Sequence, residues 1–176
     1  MEYPLPGGKR PLFCVQKHEA RNLHYDFRLQ VGDVLRSWSI PKGPSYHPAD
    51  RRLAIPTEDH PMEYADFEGV IEEGNFGAGT VMLWDIGYYS NLLEFPLGDA
   101  LERGHLKVFL RGKKMVGGWA LVRFRKSEDL WLLIKERDEY AGSRQDILEE
   151  LPNSVLSDRD LAGIRSSELQ GNQLPI

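Results

Sequence analysis

Residues 23–40 read LHYDFRLQVGDVLRSWSI, two runs of alternating polar and apolar residues around Val-Gly-Asp at 31–33. Alternation with a period of two is typical of a β-strand with one buried and one polar face, and a glycine between two such runs favours a hairpin turn. The stretch therefore predicts a pair of antiparallel strands. In the first of them, His24, Asp26 and Arg28 share the polar face.

That polar face combines residue types that can act together on a phosphate ester. Histidine and aspartate bind divalent metals, and the planar guanidinium of arginine pairs with two phosphate oxygens at once. A second histidine, His18, precedes the strand in KHEARNLHYDFRL at 17–29. The pattern suits a metal-assisted site. An ordinary solvated strand face alternates in the same way, so this stretch by itself leaves both interpretations open.

Short strand-like runs continue through the chain. They are rich in β-branched or aromatic residues, are separated by Gly, Pro and Asp, and read LFCVQ, RRLAIPT, GTVMLWDI, LKVFLRG, GWALVRFR and LWLLIKE. Helices are predicted only at 96–104 and 143–151. Because antiparallel sheets must hide their edges, so many short strands predict a mainly β fold, a compact closed antiparallel β-barrel with one or two short flanking helices.

Length and composition indicate one globular domain. The 176 residues are 41% hydrophobic and 28% charged, which is typical of a folded chain with its own core. Residues 1–156 are expected to form this domain. Residues 157–176 lack a sustained apolar pattern and are expected to form a loosely attached tail.

Cysteine content and hydropathy bear on the cellular compartment. The single cysteine, Cys14, excludes an intramolecular disulfide and lies in the apolar run LFCV, where a small buried hydrophobe is expected. No run approaches the ~20 apolar residues of a membrane helix, and MEYPLPGGKRP lacks the apolar stretch of a signal peptide. These features predict a cytoplasmic location.

The charge is unevenly distributed. A net charge of −5 argues against a protein that coats nucleic acid through bulk electrostatics. Residues 9–52 nevertheless hold nine lysines and arginines against four acids. This basic part of the chain also carries the first histidines, so it favours a local pocket for a few phosphates.

The loops between the predicted strands contain further candidates. His60 lies between acids and a proline in TEDHP, and Tyr64 follows shortly after it. The segment EEGNFGAGTV at 72–81 is glycine-rich but has no lysine and no clear helix after it, so a bend or bulge at the start of a strand is preferred over a phosphate cradle. His47 and His105 are interpreted as surface histidines.

Several of these motifs, taken in order, resemble the 3′-phosphoesterase module of bacterial DNA ligase D and its stand-alone relatives. They are KHEARNLHYDFRL, SWSIPKGPS, RRLAIPTEDHPMEYADFEGVI and GNFGAGTVMLWDIG, followed by LKVFLRGKKMVGGWALVRF and WLLIKERDEYA. The ordered combination is far more specific than any one histidine pair. The chain has no room for the polymerase and ligase modules of the multidomain enzyme, so a free-standing member or an excised module is expected.

The resemblance implies an enzyme that heals DNA 3′ ends in break repair by non-homologous end joining, with Mn²⁺ preferred among divalent transition metals. It removes a terminal ribonucleoside from a primer strand to leave a 3′-phosphate, and then hydrolyses that phosphate to a 3′-hydroxyl. Matching motif to motif, the implied metal ligands are His18, His24 and Asp26. The implied phosphate-contacting and catalytic residues are Arg28, Lys42, Arg52, His60 and Tyr64.

The same resemblance implies the partners. They are primer–template 3′ ends with a terminal ribonucleotide or 3′-phosphate, together with a DNA ligase, a polymerase or end-binding repair proteins, and no membrane. The location would be the cytoplasm, at the nucleoid during repair. Two departures leave the balance of the two activities open: Glu72 stands where proline is usual, and only 17 residues precede His18.

Two functions of other classes were weighed. A non-haem iron oxygenase on a β-barrel would use His24, Asp26 and a distant His105, followed by Arg111. That hypothesis leaves His18, Lys42, Arg52 and His60 without roles. A non-catalytic DNA-end-binding module would bind DNA without metal and yield no product on any 3′ end.

Overall fold

The computed structural model describes residues 10–173 of the chain. Within that range nine strands form: β1 Leu12–Glu19, β2 Leu23–Val31, β3 Val34–Ile40, β4 Arg52–Pro61, β5 Gly69–Ile71, β6 Gly79–Asn91, β7 His105–Gly112, β8 Val116–Arg125 and β9 Leu130–Lys135. Three helices accompany them: α1 Leu97–Arg103, α2 Ile147–Glu150 and α3 Leu161–Gln173. A 3₁₀ turn spans Met62–Asp66.

Eight of the strands close into an antiparallel barrel. Their order is β1-β2-β3-β4-β9-β8-β7-β6, and pairing between β6 and β1 completes the ring. The short β5 pairs only with β6, outside the ring. The predicted mainly β fold with a closed antiparallel barrel is therefore confirmed, and the hairpin expected at 23–40 is the pair β2–β3.

The strands of the first hairpin bury side chains on both faces. One cluster fills the barrel interior and includes Phe27, Trp38 and Trp84. A second, smaller cluster on the outside contains Cys14 and Leu35, among others, and is covered by the 3₁₀ turn. Cys14 is fully buried, as predicted, and burial raises the pKa of its thiol to about 12. This covered patch of the outer face borders the candidate site.

The helices lie around the barrel. Helix α1 matches the prediction at 96–104 and ends at Gly104, whose φ of 77° suits glycine. Helix α2 is shorter than the predicted 143–151 because only Ile147–Glu150 is helical. In the described part of the chain no helix has the length and apolar character needed to cross a membrane.

Helix α3 was not predicted, because residues 157–176 show no sustained apolar pattern. Its Ile164 is fully buried in the interior cluster, and Arg165 forms an ion pair with Glu19. Leu161, three residues before Ile164, packs against the same cluster but is only partly buried, and two apolar residues are too short a periodic signal to read from sequence. The looseness of this tail stays a prediction, and its last residues, 174–176, lie outside the described range.

Candidate metal centre and phosphate site

The register of β1 against β2 assembles the cluster. His18 lies opposite His24, and Gln16 lies opposite Asp26. Residues opposite each other in an antiparallel pair point to the same face, as do residues two apart along one strand. These four side chains therefore share the outer face of the barrel, together with Arg28. Asp26 is only 7% exposed.

The two imidazoles converge on the carboxylate of Asp26. Its Oδ2 atom lies 3.5 Å from Nδ1 of His18 and 3.3 Å from Nε2 of His24. Ligand atoms of the three residues lie within 4.8 Å of one another, so the group could hold a metal ion. Two nitrogens and one carboxylate oxygen suit a borderline divalent metal and leave coordination positions for substrate and water.

Backbone carbonyls orient both rings. Nε2 of His18 lies 3.2 Å from the carbonyl of Ala78, and Nδ1 of His24 lies 3.1 Å from that of Asn22. A carbonyl only accepts hydrogen bonds, so these nitrogens carry the protons. The remaining nitrogen of each ring faces Asp26, and when it is unprotonated its lone pair points there, which is the arrangement a metal requires. This donor set fits a divalent cation.

The charges at the cluster are strongly coupled. Burial by itself raises the pKa of Asp26, but hydrogen bonds with both histidines and the charge of Arg28 outweigh it and hold that pKa well below its usual range. The hydrogen bond with Asp26 raises the pKa of His24. The position between the imidazoles and the carboxylate therefore favours a positive charge. Because either a proton or a metal ion can supply that charge, the two compete for the position.

The guanidinium of Arg28 is immobilised beside the cluster. It is 3% exposed, its Nε donates to Oε1 of Gln16 at 2.6 Å, and its Nη1 donates to Oγ of Ser37 at 2.8 Å. Its Nη2 lies 3.6 Å from Oδ2 of Asp26, and its Cζ lies 5.2 Å from the centre of the Tyr64 ring. The orientation of the planar fork is therefore set before any substrate arrives.

Gln16 and Ser37 are site residues that the sequence reasoning missed. Gln16 is fully buried and also donates from Nε2 to the carbonyls of Tyr64 and Phe67, at 2.9 and 3.1 Å. It thereby ties Arg28 to the 3₁₀ turn that covers the outer face. The available signal was its place two residues before His18, on the same face of the strand and directly after the apolar run at 12–15.

His60 reaches the site through an irregularity in the sheet. The β3–β4 register shifts between Leu35 and Ser37, and such bulges re-aim side chains. Nδ1 of His60 lies 2.9 Å from the carbonyl of Glu58 and 3.1 Å from Nη1 of Arg28. Burial, and then the charge of Arg28, lower the pKa of His60, so the ring is neutral near pH 7.

The tautomer of His60 decides its chemistry. If Nδ1 donates to the Glu58 carbonyl, Nε2 is left as a proton acceptor; if Nδ1 accepts from Arg28, Nε2 carries the proton and can donate it. Both partners lie within hydrogen-bond distance. The neutral ring can therefore serve either as a proton acceptor or as a hydrogen-bond donor.

These groups line one cavity of about 410 Å³. Six of the eight residues implied by the resemblance lie on its wall: His18, His24, Asp26, Arg28, His60 and Tyr64. Larger cavities lie elsewhere, among them one of about 680 Å³ beside α1 and one of about 770 Å³ beside α2. The metal-ligating cluster found among the described residues lines the smaller cavity, which is therefore the candidate site.

The other two implied residues do not line the smaller cavity. Lys42 is exposed just after β3. Arg52 lies opposite Leu133, whose side chain is in the interior cluster, and its Nη2 atom is 3.8 Å from a carboxylate oxygen of Asp50. A role for Lys42 or Arg52 on the phosphate stays a prediction.

The remaining histidines are elsewhere. Nε2 of His47 lies 2.9 Å from the carbonyl of Gln145. His105 is exposed at the start of β7, which β6 and β1 separate from β2 in the sheet. His105 therefore does not join His24 and Asp26, as the oxygenase hypothesis requires.

Comparison with known proteins places the cluster in context. Residues 16–123 match the family model described as the DNA ligase D 3′-phosphoesterase domain. The chain is 47% identical over 173 residues to the multifunctional non-homologous end joining protein LigD of Pseudomonas aeruginosa, covering 90% of this chain and 20% of that protein. It is 37% identical over 158 residues to the multifunctional non-homologous end joining DNA repair protein LigD of Mycobacterium tuberculosis. That alignment covers 89% of this chain and 20% of that protein. The chain thus spans about a fifth of the length of these relatives.

Proposed function

Because this chain belongs to the family of DNA ligase D 3′-phosphoesterase domains, we propose that it is a metal-dependent hydrolase that heals DNA 3′ ends in non-homologous end joining. It first cleaves the bond between phosphorus and the 5′ oxygen of a terminal ribonucleoside, leaving a 3′-phosphate. It then hydrolyses that phosphate to a 3′-hydroxyl. The observation that carries the proposal is a single cavity joining two imidazoles, a carboxylate and an immobilised guanidinium.

His18, His24 and Asp26 hold the metal in this proposal, with Mn²⁺ preferred and other divalent transition metals accepted. Their nitrogen and oxygen donors suit these ions. When bound, the ion supplies positive charge that polarises the phosphoryl group and lowers the pKa of a coordinated water. The carbonyls of Ala78 and Asn22 keep the lone pairs of both imidazoles aimed at the ion.

Arg28 neutralises the phosphate oxygens as negative charge builds up on them. Gln16 and Ser37 fix its guanidinium in advance, so no reorganisation is needed at the moment of reaction. Its low exposure also removes competing water, which strengthens the interaction with an anion. Lys42 and Arg52 are proposed to contact the substrate outside the cavity.

His60 and Tyr64 handle protons and hydrogen bonds. In the first step Nε2–H of the neutral His60 ring donates a hydrogen bond to the departing 5′ oxygen, and in the second it does the same for the departing 3′ oxygen; the proton that each oxygen gains comes from the attacking water. Burial raises the pKa of the Tyr64 phenol, so the hydroxyl keeps its proton and can donate a hydrogen bond to a phosphate oxygen. The two rings lie 4.9 Å apart, centre to centre, and so act on the same group.

The proposed partners follow from this chemistry. They are primer–template DNA ends that carry a terminal ribonucleotide or a 3′-phosphate, and a DNA ligase or polymerase that uses the resulting hydroxyl. End-binding repair proteins would bring the chain to the break. The proposed location is the cytoplasm, at the nucleoid during repair.

The direct test uses two 5′-labelled primer–templates that differ only in the terminal sugar, ribose or deoxyribose, incubated with Mn²⁺. We expect the ribose primer to lose one nucleoside and then its phosphate, and the deoxyribose primer to be cut roughly 10⁴-fold more slowly, because a site that binds a hydroxyl rejects its absence. Equal trimming of both primers would indicate a general 3′ exonuclease.

A third primer, all DNA with a 3′-phosphate, isolates the second step. It should be converted to a 3′-hydroxyl, because no nucleoside has to leave. A DNA-end-binding module would instead bind all three primers with or without metal and release no product, and that result would contradict the proposal.

A further inference from the structure

The loop between β5 and β6 carries a phenyl ring into solvent. Phe76 is 78% exposed, more than any other large hydrophobic side chain that the structure describes as exposed. An isolated exposed hydrophobic residue is common and needs no explanation. Phe76 differs because it lies on the wall of the cavity that contains the metal cluster.

The cavity has two chemically different sides. Arg28, Asp26 and His60 contribute charged and polar groups, whereas Ala20, Ile71 and Phe76 contribute apolar groups. Such a division suits a ligand with an anionic group at one end and a flat apolar surface at the other. A nucleotide is a ligand of this kind.

The loop also sets the position of Phe76 relative to the metal ligands. The carbonyl of Ala78, two residues further on, faces Nε2 of His18 at 3.2 Å. Between them, Gly77 has a φ of +75° and lies against the same imidazole, since a Cβ added to it would be 4.0 Å from Cε1 of His18. Phe76 is therefore attached, through two residues, to the site where the phosphate is processed. The glycines that the sequence analysis interpreted as a bend present this ring.

We propose that Phe76 is a stacking platform for the nucleobase on the 5′ side of the phosphate being processed. The inference rests on the proposed function. That nucleoside is the part of the DNA that both proposed substrates share, since the terminal ribonucleoside is absent from the second. Every base has a π face, so a phenyl ring can bind one without reading sequence, as an enzyme acting on arbitrary ends requires. Phe76 is thus a positioning residue whose main effect is on KM.

The experiment measures KM and kcat on 3′-phosphate ends that carry either a normal terminal base or an abasic sugar. Phe76→Ala should raise KM about tenfold on the normal end, with kcat little changed. On the abasic end, wild type and Phe76→Ala should have the same KM. Phe76→Tyr should restore the wild-type KM on the normal end, whereas Phe76→Leu should not.

A matched control is Phe124→Ala. Phe124 is another exposed phenylalanine, at 45%, and lies on β8 outside the cavity lining. The Phe124→Ala variant should have the wild-type KM on both the normal and the abasic end. Thermal melting of all variants checks that the fold is intact.

Three results would overturn the inference while leaving the function in place: a wild-type KM for Phe76→Ala, an equal loss on normal and abasic ends, or a Leu variant as good as the Tyr variant. A wild-type protein that is inactive on every 3′ end would instead overturn the proposed function. The two failures are therefore distinguishable.

Discussion

Two buried carboxylates on the barrel wall, Asp26 and Asp85, have opposite surroundings. Asp26 is 7% exposed and is surrounded by the side chains of His18, His24 and Arg28 at the edge of a cavity. Asp85 is 0% exposed and accepts hydrogen bonds from four backbone N–H groups, those of Ile86, Lys113, Lys114 and Met115.

The pKa values follow these partners. At Asp26, cationic and hydrogen-bonding side chains overcome burial and hold the pKa well below its usual range. At Asp85, burial dominates over the four backbone hydrogen bonds and raises the pKa to about 6. Asp85 is completely enclosed and has no cationic partner in hydrogen-bond contact among the described residues, whereas Asp26 lies beside Arg28 at the edge of a cavity.

The comparison separates the carboxylate of the proposed metal site from a structural one. Asp26 keeps an open side where a cation and a phosphate can enter, whereas the bonds of Asp85 are used to attach the turn at 113–115 to β6. Burial of an acid alone therefore does not mark a functional site. The nature of its partners and its access to a cavity do.

The largest expected effect is that of Asp26→Asn. We expect at least a ~1,000-fold loss of both activities, because the charge that holds the metal and orients both histidines is gone. The fold should be retained with a lower melting temperature, because the depressed pKa of Asp26 means that its charge stabilises the folded state at neutral pH, so activity is measured well below the melting temperature. Ala substitutions of His18 and His24 should behave in the same way.

Product formation and Mn²⁺ binding, measured by calorimetry, check this expectation. Asp33→Asn, in the exposed turn between β2 and β3, is the matched control and should be fully active. Full activity of His24→Ala at low Mn²⁺ concentration would contradict the metal assignment. Chelation of the metal should abolish activity in the wild type.

Arg28→Lys tests whether the cation beside Asp26 works by shape as well as by charge. Lysine cannot contact Gln16 and Ser37 and also present a planar pair of donors, so we expect a roughly 100-fold loss of kcat despite the retained charge. The measurement is single-turnover hydrolysis of a 3′-phosphate end.

Arg36→Lys is the control, since Arg36 forms an exposed ion pair with Asp59, a type worth only ~0–1 kcal/mol. Equal rates for Arg28→Lys and wild type would assign Arg28 a structural role. Arg52→Lys asks the same question outside the cavity, where unchanged activity would favour a structural ion pair with Asp50.

Asp85→Asn should show the reverse of Asp26→Asn. The amide nitrogen would replace the oxygen that accepts from Met115, or one that accepts from Lys113 and Lys114, so a donor would face a donor in the core. We expect a loss of about 1–3 kcal/mol in the free energy of unfolding, with nearly normal activity below the melting temperature. Urea denaturation alongside activity assays measures both. Strong loss of activity in a stably folded Asp85→Asn variant would contradict the structural role assigned to Asp85.

The smallest expected effect is a pH dependence of that destabilisation. Burial raises the pKa of Asp85 in the folded state to about 6, so between pH 4 and pH 6 the folded protein binds more protons than the unfolded one. Stability from this group therefore rises as pH falls from 6 to 4. The difference in the free energy of unfolding between wild type and Asp85→Asn should therefore grow by on the order of 1 kcal/mol over that range. If that difference in free energy were constant from pH 7 to pH 4, Asp85 would stay ionised throughout this range.

Local pattern was sufficient to predict much of the fold. Alternation in LHYDFRLQV and VLRSWSI identified strands and faces, and repeated short runs identified a barrel. Helix α3 escaped prediction because, among its described residues, the apolar contacts with the interior cluster are made by Leu161 and Ile164, and two residues are too few to establish a period. The residues of the candidate site likewise include some that local pattern predicted and others that it did not.

The sequence by itself determined that His24, Asp26 and Arg28 share one face, because a strand repeats every two residues. Motif resemblance named His18 and His60 as further site residues, but only the tertiary structure decided how other segments join this face. The β1–β2 register adds His18 and Gln16, a bulge brings in His60, and a glycine loop adds Phe76. These contacts depend on pairings between segments far apart in the chain, and local periodicity carries no information about which segments will meet. The same limit separates Asp26 from Asp85, because the partners of each carboxylate come from other strands and turns.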